Sequence, residues 1–448
     1  MAGGTWITQN KVRPGAYINF QSVPTPSSNV GTRGIMTMPV PMSWGPADTV
    51  IDLYSTDLLN GNSLTKIGMT AFDPESLVYR MALSEAYLAK IYRIDTGGTK
   101  ATATVGTLEV SAKYMGTIGN RISAAVIANV ADPSMFDVVT YLSGAEKDRQ
   151  TVSSGGAELL NNDWVDFNAT TTLTASAGTS LAGGTNGEVE TATLVNYFAA
   201  MNETSWNTMA LPLNDVAAKT QVLSYIKNKR NNTGRKVQAV LVDYANADFE
   251  GIISVDQGYT NLADEAIVPT IFAARIAGMT AAAAVNQSNT YAALTDAGTI
   301  INPIADEDVG AALQSGKLLI KRRQDGVIVV EQDINTLHNF TPTKDYAFSK
   351  NRVIRVLDDI GNQVLIKFER AYIGKVDSND IGRNVLRADI ISYMNELQDM
   401  GAIQNFDSAT DISVMPGMSI DAVRVDLWVQ PVDSMEKLYM QVFVGGEA

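Results

Sequence analysis

Between Gly97 and Gly187 the hydrophobic pattern has a period of two, while helix-like and strand-like segments alternate on either side of that stretch. Leu108, Val110, Ala112 and Tyr114 form one alternating run. Ile122, Ala124, Val126 and Ala128 form a second, and Phe136, Val138, Thr140 and Leu142 a third. Threonine, valine and glycine dominate, so the segment predicts an all-β insert, a small sandwich that closes at Gly183-Gly184-Thr185-Asn186-Gly187. A chain of 448 residues that switches pattern twice is a multidomain protein.

Before the insert, Asp73-Pro74-Glu75 sets a capping side chain, a proline and an acid in order, which predicts a helix running to about Lys90 with Leu77, Met81 and Leu88 on one face. A strand at Ile91 to Ile94 should follow. After the insert the pattern predicts a helix at Leu194 to Met201, a strand at Thr208 to Leu211, a helix from Asp215 to Arg230 and a strand at Val237 to Val242. Such αβ units imply a mainly parallel, covered sheet. Helical runs near Ala263 to Val285 come next, and the uncharged Ile276 to Thr295 stretch reads as a buried Ala-rich helix and loop. Leu318 to Lys321 and Val327 to Glu331, joined through Asp325-Gly326, predict a hairpin. The last hundred residues read as α+β. Strands are expected at Val353 to Leu357 and Val364 to Glu369, with Asp358-Asp359 as a turn before Gly361. A helix carrying Leu386, Ile390, Met394 and Leu397, stopped by Gly401, follows them.

Two segments have no partner nearby in sequence. Nineteen uncharged residues separate Arg13 from Arg33, and within this proline-rich arm only Ala16 to Phe20 has strand character. At the other end, Val423, Val425, Leu427 and Val429 share one strand face. Leu438, Met440, Val442 and Val444 share another, after a spacer too long for a tight turn. Isolated strands need a sheet edge, either their own or a neighbour's.

Composition narrows the function. With 34 Lys and Arg against 48 Asp and Glu, the net charge of −14 disfavours direct binding to nucleic acid or anionic lipid. No cysteine is present, so disulfides, thiolate metal sites and cysteine nucleophiles are excluded. Only 18% of residues are charged, which suits a surface partly covered by other protein. The first residues, Met1 to Trp6, show no secretory signal pattern.

Catalytic candidates are few. His338 is the one histidine and stands in a polar turn; no Gly-x-Ser-x-Gly motif exists. Gly310 to Lys317 is one residue too long for a phosphate loop and reads as a loop before a strand. Asp306-Glu307-Asp308 reads as a helix start, and Asn168-Ala169-Thr170 is a sequon without a secretory context. No catalytic residue, cofactor site or metal site is assigned. Residues 317 to 387 hold thirteen Lys and Arg against nine Asp and Glu, so this part is locally basic on an acidic chain.

Five ordered stretches carry a family likeness: Val12 to Phe20 (VRPGAYINF), Gly116 to Ile122 (GTIGNRI), Asp333 to Leu337 (DINTL), Arg370 to Lys375 (RAYIGK) and Val429 to Tyr439 (VQPVDSMEKLY). Together they resemble the sheath proteins of contractile phage tails and of phage-tail-like bacteriocins from Gram-positive bacteria. The resemblance implies an α/β and α+β multidomain chain. Its parts are an extended N-terminal arm (1–30), the N-terminal part of the core (31–96), a β-sandwich insertion (97–187), a subtilisin-like α/β middle domain (188–342), an α+β C-terminal domain (343–437) and a C-terminal arm strand (438–448). It also implies arms that exchange strands between subunits, through Tyr17, Ile18, Asn19 and Phe20 at one end and Leu438, Tyr439, Met440, Gln441, Val442, Phe443 and Val444 at the other. The implied partners are further copies of the chain in a helical polymer of stacked rings, a tail tube protein, and baseplate and tail terminator proteins. No direct contact with nucleic acid and no membrane insertion are expected. The particle would be a virion or phage-tail-like body assembled in the bacterial cytoplasm. Arg383 and Arg387, one helical turn apart, are the expected tube-facing cations. An α/β hydrolase with an accessory β-sandwich domain is the alternative from another class.

Overall fold

The computed structural model describes residues 33–169 and 172–444, together with the backbone of two short strands, Ala2–Gly4 and Gly15–Tyr17. Its centre is a seven-stranded sheet in the order Lys317–Leu318, Ile252–Val255, Gln238–Val242, Thr208–Ala210, Ile35–Val40, Leu88–Arg93, Val50–Tyr54. Every neighbouring pair is parallel except Val50–Tyr54 against Leu88–Arg93. The segments before and after the insert therefore build one sheet between them.

Alternation along the strands shows why both faces must be covered. Val240 and Val242 turn toward the Pro269–Ala282 helix, whereas Ala239 and Leu241 turn toward the Leu194–Asn202 and Val216–Asn231 helices. The Pro269–Ala282 helix lies close against its neighbours because Gly278 carries no side chain. A Cβ there would stand 2.2 Å from the carbonyl oxygen of Ala82.

The insert is a two-sheet sandwich. One sheet orders Ala145–Ser153, Met135–Leu142, Ile122–Ala128 and Ser176–Ser180; the other orders Val165–Asn168, Leu108–Met115 and Lys100–Val105. It leaves the body through a neck where Asp95–Thr96 pairs with Glu188–Val189. Arg93 locks that neck from below, donating to Asp95 at 2.7 Å and to the carbonyls of Met42, Gly45 and Met115, with both charged side chains fully buried. Trp44 of the body stacks on Trp164 and meets Tyr114 edge-on, so the insert also shares apolar core with its base.

Several expectations are corrected here. The helix expected from Asp73 to Lys90 is a short 3-10 turn, Pro74–Ser76, followed by Leu77–Ala82, and the next strand starts early, at Leu88. The strand claims Leu88 and Ala89 because they register with Ile35 and Met36 in the central sheet. Helix near Ala263 is confined to Pro269–Ala282, preceded by the antiparallel strands Gly258–Asn261 and Ala266–Ile267. The Asp325-Gly326 hairpin joins Ile320–Arg322 to Ile328–Val330, while Lys317–Leu318 instead edges the central sheet. Gly310 lies within the Asp306–Gln314 helix, so most of the presumed loop before the strand is helical.

The largest difference is C-terminal. In place of two strands and a turn, Asn351–Ala371 is one 21-residue helix. Val353, Val356, Ile360, Val364 and Phe368 recur at spacings of three and four, and this stripe faces inward. Asp358 and Asp359 are mid-helix and buried. A second helix, Asp380–Asp399, starts on an Asn379 cap and packs Leu386, Ile390, Tyr393, Met394 and Leu397 against the first. Gly401 follows it in the left-handed conformation, as expected.

Candidate assembly interface

Charged groups hold the C-terminal helices to the central body. Arg230, in the last turn of the Val216–Asn231 helix, donates two hydrogen bonds to Asp358 at 2.6 and 2.7 Å and a third to the carbonyl of Val237 at 3.0 Å. Burial alone would lower the Arg230 pKa, but the Asp358 carboxylate outweighs it and the pKa is raised. One residue on, Asp359 accepts from the Tyr393 hydroxyl at 2.5 Å, tying the two C-terminal helices together. Burial, reinforced by Asp359, pushes that hydroxyl far above the ordinary tyrosine range. Arg355 pairs with Asp333 at 3.2 Å, both side chains 1% exposed, and Asp333 also accepts from Asn351 at 2.9 Å and from the Asn289 amide at 3.0 Å.

Between these elements runs a polar groove of about 630 Å³, lined by Arg33, Trp206, Arg235, Lys236, Asp358 and Arg370 among others. Arg33 donates to the carbonyls of Ala283 and Thr280. Burial, with Arg355 nearby, brings its pKa down to about 10.

On the outer side, Ile412–Pro416 and Val423–Leu427 form an antiparallel pair that joins no further strand among the described residues. The chain then pairs Gln430–Pro431 with Ile403–Gln404 and continues without regular structure through Val444. Leu438, Tyr439, Met440, Val442, Phe443 and Val444 are all exposed, Tyr439 at 90% and Val444 at 92%. Leaving a run this apolar open to water has a cost, because each such side chain gains roughly 1.5–3 kcal/mol on full burial.

Comparison with known proteins agrees with this geometry. Residues 96–186 match the phage tail sheath protein beta-sandwich domain, 187–336 the phage tail sheath protein central domain and 343–445 the phage tail sheath C-terminal domain. A phage-like element PBSX protein of Bacillus subtilis strain 168 is 34% identical over 472 residues, covering 99% of this chain and 100% of the relative. The chain belongs to the phage tail sheath family. The crystal structure of a sheath tail protein from Desulfitobacterium hafniense is 40% identical with a TM-score of 0.85, covering 96% of this chain and 99% of that one. At 11% identity and a TM-score of 0.57, the contracted-state helical sheath of the anti-feeding prophage shares the fold over 97% of this chain and 100% of its own.

The sheath chain's expected site residues fall in three places. Tyr17 ends the Gly15–Tyr17 strand, which pairs in parallel with Ala2–Gly4 as a two-stranded sheet of its own, while Ile18, Asn19 and Phe20 lie outside the described residues. Residues Leu438 to Val444 form the exposed arm just described. Arg383 and Arg387 are half-buried on the Asp380–Asp399 helix; Arg383 pairs with Asp380, and Arg387 donates to the Ser408 carbonyl. His338 directs Nδ1 at the Thr336 carbonyl, 2.8 Å away, and lies 3.5 Å from Asp248, whose carboxylate accepts the His338 and Asn339 amides. This is a turn-bracing arrangement, and the hydrolase alternative finds no support in it. Sequence reading missed Arg230, Asp333, Arg355 and Asp358. The signal was present in part, since Arg355 and Asp358 flank the apolar stripe of a helix rather than standing in loops.

Proposed function

We propose that this chain polymerises helically, as stacked rings around a tail tube, and contracts to drive that tube through a bacterial envelope. The exposed arm from Leu438 to Val444 carries the proposal. It is an apolar, strand-patterned segment that pairs with no strand among the described residues, and the same chain carries a two-stranded sheet, Ile412–Pro416 with Val423–Leu427, whose outer edges are unpaired among the described residues. Strand addition from one subunit to the next satisfies both, and because it runs head to tail it yields an open helical polymer. The N-terminal segment around Tyr17 to Phe20 serves as the second arm. Contraction then remakes contacts between rigid bodies while the exchanged strands hold. The mostly parallel central sheet, covered on both faces, supports a subtilisin-like middle fold used as scaffold. The partners are the tube, the baseplate and a tail terminator, and assembly takes place in the cytoplasm of the producing bacterium.

The test is truncation. Deleting residues 1–22, or ending the chain after Lys437, should give folded monomers or short oligomers when co-expressed with the tube protein, whereas the full chain gives sheathed tubes in negative-stain electron microscopy. Full-length sheaths from either truncation would refute strand exchange for that arm. Arg383 and Arg387 are proposed as tube-facing. Their present acceptors are an exposed carboxylate and a backbone carbonyl, which acidic groups on a tube can displace. Replacing both with Glu should weaken assembly on tubes and alter its salt dependence; an unchanged salt response would reject that role.

A further inference from the structure

Two of the stretches that carried the family likeness, one beginning at Asp333 and the other containing Glu436, are about a hundred residues apart in sequence and are joined through the Thr290 hydroxyl, which accepts from the Asp333 amide and donates to Glu436. Glu436 accepts hydrogen bonds from the Thr290 hydroxyl at 2.8 Å, the Gln332 amide at 2.7 Å, the Ser434 hydroxyl at 3.1 Å and the Lys350 ammonium. The Lys350 side chain is 4% exposed and the Glu436 side chain 12%, whereas neighbouring Met435 is 93% exposed and Lys437 is exposed too. One residue has been drawn inward from an otherwise open strand of chain.

Its donors come from separate parts of the fold. Thr290 follows the Pro269–Ala282 helix, Gln332 follows the Ile328–Val330 strand, and Lys350 immediately precedes the long C-terminal helix. Behind them the network continues into the core, since Thr290 Oγ1 also accepts from the Asp333 amide at 2.9 Å and Asp333 holds Arg355 and Asn351. Past Glu436, the Lys437 ammonium over the Tyr346 ring, at 5.9 Å, is the last contact before the exposed arm.

We propose that Glu436 is the positioning residue that fixes where the C-terminal arm leaves the subunit. This rests on the strand-exchange reading above. From the anchor, the seven residues Leu438 to Val444 reach at most about 23–25 Å when fully extended. Without it, only the exposed Lys437–Tyr346 contact remains on this side, and the next hydrogen bond to the body is the Val432 amide on the Ala402 carbonyl, four residues earlier, which adds about 13–14 Å of slack once that contact lets go. Slack of that size permits register slips of one strand pair or more, and a slip of one residue turns the apolar face outward.

The structure also supplies a probe, because Lys437 places a tryptic site directly after the anchor. On full-length monomer, cleavage of the Lys437–Leu438 bond is followed by mass spectrometry in wild type, Gln332→Ala, Glu436→Gln and Glu436→Ala, with circular dichroism to confirm folding. The Glu436 variants should be cut roughly tenfold faster or more, the change in open population expected on losing a charge-assisted hydrogen bond. Gln332→Ala, which leaves the ion pair in place, should be intermediate and keeps the test open if a Glu436 variant does not fold. Sheath assembly on tubes should fall in the same order. Unchanged cleavage in folded variants overturns the proposal, and so does faster cleavage with wild-type assembly when truncation after Lys437 abolishes assembly. Intact assembly by that truncation would instead refute strand exchange and leave the cleavage result standing.

Discussion

The Arg230–Asp358 pair joins the central body to the long C-terminal helix, and Asp358→Ala measures what that joint contributes. In wild type the guanidinium makes two hydrogen bonds to one carboxylate, with side chains only 5% and 11% exposed. After the substitution Arg230 keeps the Val237 carbonyl and gains little from Glu250, whose nearest oxygen is 4.0 Å from Nε. Removing one member of a buried pair costs about 3–5 kcal/mol, and the residual Glu250 attraction places this case near 3. That corresponds to a rise of about a hundredfold in the unfolding equilibrium constant, at about 1.4 kcal/mol per factor of ten. Replacing both partners, as Arg230→Met with Asp358→Leu, removes the stranded charge and should cost well under the sum of the single changes.

Urea denaturation of the full-length monomer is the assay. Trp206 lines the groove beside this pair and is 6% exposed, so the part of the fluorescence of the chain's five tryptophans that Trp206→Phe removes reports locally, while far-ultraviolet circular dichroism reports the whole. The reasoning fails if Asp358→Ala shifts stability by less than about 1 kcal/mol. It also fails if the double variant is less stable than the sum of the single changes, because the joint would then depend on packing shape rather than on charge pairing.

Gly278→Ala should destabilise by roughly 1–3 kcal/mol despite alanine's better helix propensity, since its Cβ meets the Ala82 carbonyl at 2.2 Å; an unchanged melting curve would show that the helices separate freely. Excising residues 98–186 with a short linker should leave a folded remainder in which Trp44, now without Trp164 and Tyr114, emits at longer wavelength; loss of all helical signal would show that the body cannot fold without the core it shares with the insert. Burial raises the Asp248 carboxyl, but hydrogen bonds from the His338 and Asn339 amides outweigh it and hold the pKa below the ordinary carboxylate value of about 4. Its stabilisation is therefore complete above that value and is lost as pH falls through the lower folded pKa, so Asp248→Asn should flatten the acid limb of stability without changing its slope near pH 7.

The parts of the fold legible in the sequence are those where one periodicity operates alone. The insert strands were placed within a residue or two because alternation there meets no competing helical stripe. The helix expected from Asp215 to Arg230 is found at Val216–Asn231, and Asp215 caps it, accepting from the Ala218 amide at 2.7 Å. The Asn351–Ala371 helix was misread because Val353, Ile354, Val356, Val364 and Ile366 favour strands, and Asp358-Asp359 with Gly361 mimics a turn. Tertiary context reversed that preference. An Arg230 partner for Asp358 and a tyrosine for Asp359 make two mid-helix carboxylates affordable in the core, and neither partner is within a hundred or thirty residues, respectively.

The same asymmetry separates the two halves of the assembly site. An arm that exchanges strands, as proposed, is visible in sequence because it must lack local partners, and Leu438 to Val444 has that pattern, alternation without a turn. What anchors the arm is invisible for the opposite reason. Thr290, Gln332, Lys350 and Glu436 are ordinary surface residue types spread over nearly 150 positions, and only folding brings them to one carboxylate. Under the proposed strand exchange, a subunit that holds its body rigid while handing a strand to a neighbour needs both kinds of element. The buried pairs at Arg93–Asp95, Arg230–Asp358 and Arg355–Asp333 fix orientation within the subunit, since breaking any of them strands a charge out of water. By contrast, the hydrogen bonds of an exchanged strand are backbone groups that any apolar sequence of the right alternation supplies, so the arm can be permissive in sequence where the joint cannot. Variation among sheath chains should therefore be tolerated at Tyr439 or Gln441 far more readily than at Arg230 or Asp333.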